Sequence, residues 1–208
     1  MARTLDDRTA RTLGTLALLG VAVFAITCGA AQFLRPDHDW RHVPLSFYVL
    51  GPYGSMVETG YFVLAVGLAA LGIGWYRALD RDARSAAPLL LFLAAAIALC
   101  ITAVAFTDVP DGPHTLHGLV HGLAAMTTFL CISVAMLLQS WRLRLDSRWH
   151  PCFRSAFALA SIAFVALWID ALVKTLPRGL SEKTVIVLIL SWLWRTAWWL
   201  TRGAPPAN

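Results

Sequence analysis

Charge is what this sequence has least of. Asp, Glu, Lys and Arg make up 14% of its 208 residues, where a soluble domain carries roughly a quarter. So few charges cannot clothe a water-facing surface, which excludes a soluble globular domain of this length. Cysteine is nearly as sparse. Cys28, Cys100, Cys131 and Cys152 form no CxxC pair, which removes a disulfide framework and a thiolate metal site and leaves small packing residues. There is no tandem repeat, and no low-complexity stretch beyond the "GAPPAN" tail. The net charge of +5 is divided among loops, so nucleic acid is not an expected partner.

Apolar residues take the place of charge. They form 58% of the chain, and the mean hydropathy is +0.65. Six apolar runs, near 13–34, 54–78, 88–107, 115–141, 153–175 and 182–201, approach or exceed the ~18–20 residues needed to cross a hydrocarbon core. The first outlasts a signal h-region of ~7–15 residues, and "AIT" before Cys28 is a poor lipoprotein site. Short loops make sequential helices neighbours. The expected fold is therefore an all-α membrane protein, with six transmembrane helices in one antiparallel bundle and a single polytopic membrane domain over 1–208.

Basic residues orient that bundle. With the N-terminus inside, one set of segments carries Arg3, Arg8, Arg11, Arg77, Arg81, Arg84, Arg142, Arg144, Arg148, Arg154 and Arg202. The opposite set holds Arg35, Arg41, Lys174, Arg178 and Lys183. The positive-inside rule then puts both termini in the cytoplasm and the chain in the cell (inner) membrane. Trp75, Trp141 and Trp149 fit an interfacial aromatic belt at inner helix ends.

The longest connection, "RPDHDWRHVPLSFYVLGPY", predicts an interfacial or re-entrant segment, whose irregular backbone must be buried in protein or wetted. In "TDVPDGPH", Pro113 suits the first helical position after Asp111 and Gly112. In "LPRGLSEK", Ser181 is an expected N-cap and Glu182 suits the first turn. Gly60, Gly67 and Gly74 make one stripe, and Gly118 and Gly122 a GxxxG pair, as expected where membrane helices approach closely.

The polar residues concentrate on the outer side. At 1.5 Å per residue, His117, His121, Glu58 and Asp170 lie roughly 3–10 Å inside the outer helix ends. Asp37, His38, Asp39 and His42 lie above them in the first outer loop, with Asp108, Asp111 and His114 in the second; the cytoplasmic side has His150 alone. Ionisable groups at this depth cost ~2.5–3.5 kcal/mol each on insertion scales and normally face a cavity or one another. His114, His117 and His121 follow i, i+3, i+7 spacing on one helical face. Two readings follow. His117 and His121 at i, i+4 are spaced to chelate a divalent metal such as zinc, with a carboxylate as third ligand and room for water. Alternatively they hydrogen-bond Glu58 or Asp170 and fix the packing, since HxxxH without the glutamate of HExxH does not indicate a metalloprotease. Arg195, deep in "SWLWRTAWWL", is expected to snorkel past Trp198 and Trp199, pair with a buried carboxylate or bind an anionic headgroup.

Three segments carry a resemblance: "PLSFYVLGPYGSMVETGYFVLAVGL", "FTDVPDGPHTLHGLVHGLAA" and "GLSEKTVIVLILSWLW". In these the chain resembles the bacterial and archaeal integral-membrane family known as domain-of-unknown-function family 998. The resemblance covers nearly the whole chain, implies six helices, and points to Ser46, Gly54, Asp108, His117 and Trp192. It implies no activity. A looser likeness runs to membrane hydrolases that arrange Ser, Asp and His around zinc, such as alkaline ceramidases, although those usually have seven helices.

The leading expectation is an outward-facing pocket that binds or hydrolyses a lipid-like or small amphipathic molecule. Glu58, Asp108 and Ser46 would be its catalytic groups, Asp170, Arg195, Trp192 and His114 its binding groups, and His117 and His121 its metal ligands. The alternative is a small transporter or a structural or accessory membrane subunit. Membrane lipids are expected partners in either case, and a second copy of the chain is a further one.

Overall fold

In the computed structural model of the protein, residues 2–109 and 112–204 are described, with side chains from Arg8 onward. Asp111 and the side chain of Arg3, both weighed above, lie outside the described residues. Six α-helices follow in order: α1 (Ala2–Leu34), α2 (Gly54–Ala78), α3 (Ala86–Val104), α4 (Leu116–Leu143), α5 (His150–Leu172) and α6 (Arg178–Arg202). A short 3-10 turn, Leu45–Val49, interrupts the connection between α1 and α2. All six α-helices are long and apolar enough to cross a membrane.

Three helix starts differ from expectation. Helix α1 begins at Ala2, far ahead of the apolar run, because apolarity marks only the part suited to hydrocarbon. Residues of adequate helix propensity extend the helix beyond it. Pro113 does not open α4. Thr115 is its N-cap, its hydroxyl accepting from the Gly118 N–H at 3.0 Å. Nor does Ser181 cap α6. Pro177 takes that place with φ −58°, and Ser181 lies one turn inside, donating to the Arg178 carbonyl.

Each helix packs on its sequence neighbours, and α6 also packs on α1, which closes a ring of six. The stripe on α2 makes the closest approach. A Cβ built on Gly67 would lie 3.2 Å from the Gly20 Cα, while Gly60 faces Thr27 and Gly74 faces Leu13. Numbers fall along α1 as they rise along α2, so these two helices run in opposite senses. The GxxxG pair on α4 is different. Gly118 packs against the Asp108 carboxylate, whereas a Cβ on Gly122 would meet nothing within 4 Å. Only the first glycine of the pair answers a packing need.

Alanine, leucine and a few large aromatics fill the ring. Trp192 of α6 is fully buried and stacks on Phe92 of α3 with centroids 6.2 Å apart. Its indole N–H is shared between the Ser140 hydroxyl at 3.2 Å and the Ala156 carbonyl at 3.1 Å. Trp75 and Trp149, expected in an interfacial belt, are instead buried edge-to-face, 4.9 Å apart. Trp141 does remain exposed, with Arg144 over its ring at 4.7 Å. Outward, every helix exposes a large apolar side chain: Ile26, Val66, Ile97, Met126, Val165 and Val187. An apolar surface on all sides suits hydrocarbon, not water.

Candidate functional site

The α3–α4 turn brings together most of the nominated histidine segment. Asp108 Oδ1 accepts from the Thr115 hydroxyl at 2.6 Å, and Oδ2 accepts from the Thr115 N–H at 3.1 Å. Thr115 passes this on by capping Gly118, so a carboxylate, a hydroxyl and an amide form one relay at the start of α4. A negative charge there also complements the positive helix end. The Thr115 hydroxyl, then its N–H, hold the Asp108 carboxyl below the usual carboxylate range. Absence of a side chain at Gly118 is what admits the carboxylate. His121, 6% exposed, places Nδ1 2.6 Å from the Ala105 carbonyl at the end of α3. A carbonyl can only accept, so Nδ1 is the protonated nitrogen and Nε2 alone stays open to a ligand.

The three histidines therefore do not act as one face. His114 precedes the helix and is fully exposed, with Nδ1 3.8 Å from Asp108. His117 is exposed and His121 buried. Neither expected carboxylate meets them: Asp170 accepts from the Ser181 hydroxyl at 2.5 Å, and half-buried Glu58 makes no hydrogen bond among the described residues. Among the described residues, no three His, Cys, Asp or Glu side chains are placed to hold one metal ion. What the turn does offer is an open recess lined by Asp108, His114 and Thr115 on its polar side and by Leu116 and Leu119 on its apolar side.

A second assembly clamps the loop of residues 35–53 over α6. Arg35, 8% exposed, pairs with Asp37 at 2.7 Å and donates to the Leu50 carbonyl at 2.6 Å. That guanidinium pulls the Asp37 carboxyl down to about 2. Lys183 donates to the carbonyls of Trp40 at 2.8 Å and Val43 at 2.6 Å. The Leu180 N–H reaches the Arg41 carbonyl at 2.8 Å, and Glu182 accepts from the Leu45 N–H at 3.2 Å. At Gly179 a Cβ would lie 2.5 Å from the Val43 carbonyl, so that contact requires glycine. Tyr48 is fully buried beneath the loop, edge-on to His38 at 4.9 Å, and its hydroxyl has no partner among the described residues. Ser46 sits half-buried in the same 3-10 turn without a side-chain hydrogen bond among the described residues. Glu182 and Lys183 were missed as tertiary contacts, because their partners lie 137 to 143 residues away in sequence.

Trp192 and Arg195 belong to neither assembly. Trp192 is core. Arg195 is exposed and sits over the Trp199 ring at 5.2 Å, a cation–π contact.

The end of the ring bearing the chain termini holds a cluster that sequence reading had reduced to His150. Asp146, 1% exposed, accepts from the backbone N–H groups of Asp80 and Arg148, each at 2.9 Å. Arg148 donates to the Ala78 carbonyl at 2.6 Å and pairs with Asp80 and Asp146, each at 3.4 Å. Arg142 donates to the carbonyls of Ala83 at 2.6 Å and Arg84 at 3.0 Å. Arg84 donates to the Leu79 carbonyl at 2.7 Å. Arg148 and Arg84 cap carbonyls at the C-terminus of α2, while Arg142 holds the α2–α3 connection.

Residues 18–199 match the model of a family described as "Protein of unknown function (DUF998)". The chain belongs to that family. No curated protein and no solved structure matches it. Of the five positions to which the family resemblance pointed, Asp108 is in the α3–α4 relay and His117 is on the exposed side of α4. Ser46 is in the loop clamp, Trp192 in the core, and Gly54 at the start of α2, where a Cβ would strike the Val49 carbonyl. In this chain those five positions are dispersed over the fold and do not converge on one set of reactive groups.

Proposed function

We propose that this protein is a non-enzymatic multi-pass subunit of the cell membrane, its helices antiparallel and both termini cytoplasmic, with a rigid outer end that serves as a docking or accessory element. The observation supporting this is the engagement of its polar outer groups. Asp108, His121, Asp170, Glu182 and Lys183 all bond within the chain. An enzyme that activates water needs a base or metal ligand set that remains available to substrate. A packed apolar interior also argues against a solute path through the ring. The experiment is metal analysis of protein purified without chelator, with zinc then added back. The proposal expects sub-stoichiometric metal and no rise in melting temperature. Near-stoichiometric zinc, lost in both His117→Ala and His121→Ala, would sink it.

The open recess beside Asp108 favours a second reading, in which an amphipathic molecule docks there with its polar group at Asp108 and His114 and its chain along Leu116 and Leu119. If a divalent metal assisted hydrolysis in that recess, His117 and His121 would be its ligands and Glu58 or Ser46 would have to approach. Their positions on α2 and the 3-10 turn give this version no support. Turnover of any lipid ester that disappears in Asp108→Asn while the fold persists would establish the second reading over the first.

A further inference from the structure

At the end bearing the termini, a recess opens between the start of α1, the α4–α5 turn and the end of α6. Arg11, Arg148 and Arg202 line it, together with Trp149 and the backbone at Gly203. The three arginines differ in their commitments. Arg148 is held by Ala78, Asp80 and Asp146. Neither Arg11 nor Arg202 has a carboxylate within ion-pair distance among the described residues. The Arg202 guanidinium is over the Trp198 ring at 4.4 Å. Gly203 ends α6 at φ +84°, a left-handed conformation, and a Cβ there would lie 3.6 Å from Arg11 Nη2. The chain therefore turns away from the helix where the Arg11 guanidinium approaches. At the recess wall, Trp149 is 3% exposed and its indole N–H has no acceptor among the described residues.

Helix dipoles must be weighed against these cations. The C-termini of α2 and α6 end beside the recess and carry about half a negative charge each. The α2 end is capped by Arg148, and α5 begins at His150 with about half a positive charge of its own. Two guanidiniums without carboxylate partners among the described side chains outweigh the remaining fraction. The balance is an anion site, with planar, multiply donating groups of the kind that suit phosphate oxygens.

We propose that this recess binds a phosphate group, with Arg11 and Arg202 as its principal ligands. Arg202 is the last residue of the apolar span Arg178–Arg202, and Arg11 lies within one turn of the start of Arg8–Leu34, which is headgroup depth if those spans cross a bilayer. The phosphodiester of an anionic lipid is one source of the group, and free phosphate is the other. The proposal does not depend on whether the opposite end is catalytic.

The test uses full-length protein in neutral detergent. It is titrated separately with phosphatidylglycerol, phosphatidylcholine of the same acyl chains, and inorganic phosphate, with melting temperature as readout. Wild type should be stabilised by phosphatidylglycerol and not by phosphatidylcholine. Arg11→Gln/Arg202→Gln should need about tenfold or more lipid for the same shift, while Arg81→Gln, an exposed arginine outside the recess, should match wild type. Stabilisation by inorganic phosphate at millimolar levels, lost in the same double variant, assigns the site to free phosphate. Should the double variant fail to fold, native mass spectrometry of wild type decides, with one phosphatidylglycerol retained in preference to phosphatidylcholine. The proposal is overturned if neither anion stabilises wild type, if the double variant responds as Arg81→Gln does, or if wild type retains the two lipids equally and is not stabilised by inorganic phosphate.

Discussion

At the end bearing the termini, arginines donate to carbonyls where α2 finishes, whereas at the α3–α4 turn a carboxylate accepts from the amide that leads into α4. Both arrangements satisfy backbone groups that a helix leaves open, and both oppose the helix dipole with the appropriate sign. They differ in depth. Asp146 is 1% exposed, whereas the Asp108 side chain is 22% exposed beside an open recess. Arginines that a topology rule counts as address labels therefore also close the fold, and Asp108, nominated as a catalytic group, sits in a capping arrangement. The deeper end should be the more sensitive to substitution.

The largest effect is expected at Asp146→Ala. It strands two backbone donors and one partner of Arg148, and breaking such a buried network costs about 3–5 kcal/mol. A thermal melt in detergent reads it, and a shift no larger than that of an exposed-residue control would erase the contrast between the ends. Gly118→Ala comes next, at about 1–3 kcal/mol, because the new methyl displaces the Asp108 carboxylate. Gly122→Ala, facing open space, should be neutral or stabilising by up to about 1 kcal/mol. Equal losses at the two glycines would restore GxxxG as a helix-packing pair.

His121→Ala should cost about 1–3 kcal/mol by leaving the Ala105 carbonyl without its donor, with His117→Ala near zero. The smallest effect is a pH dependence in the loop clamp. Asp37 is lowered from 3.8 to about 2 by Arg35, so its contribution is full above pH ~4 and fades as pH falls toward 2. In Asp37→Asn that part of the acid loss should vanish, and an unchanged acid limb would remove Arg35–Asp37 from the clamp.

Much of the fold was legible because hydrocarbon imposes a length. All six apolar runs became helices, and the α2 glycine stripe meets α1 as its spacing implied. Helix starts were less legible. The polar prefix of α1 and the Pro177 start of α6 obey backbone preference, not hydropathy. Site residues were legible one at a time, and their grouping in space was not. His117 and His121 share a helix side by spacing, yet the approach of α3 buries one and leaves the other exposed. Glu182 looked like a favourable first-turn residue, and nothing local announces its bond to Leu45. The Asp146 cluster was hidden for the same reason: its partners arrive from the α2–α3 connection, which the sequence shows only as a basic loop.

Asp108 works through Thr115 to hold the start of α4, and a double-variant cycle measures that coupling. Melting temperatures would be compared for wild type, Asp108→Ala, Thr115→Val and the double variant. If the relay is one device, each single variant melts below wild type and the double variant melts little lower than Asp108→Ala alone. Losses that simply add, or an Asp108→Ala protein as stable as wild type, would mean that the two residues act independently and that Asp108 is free for a ligand.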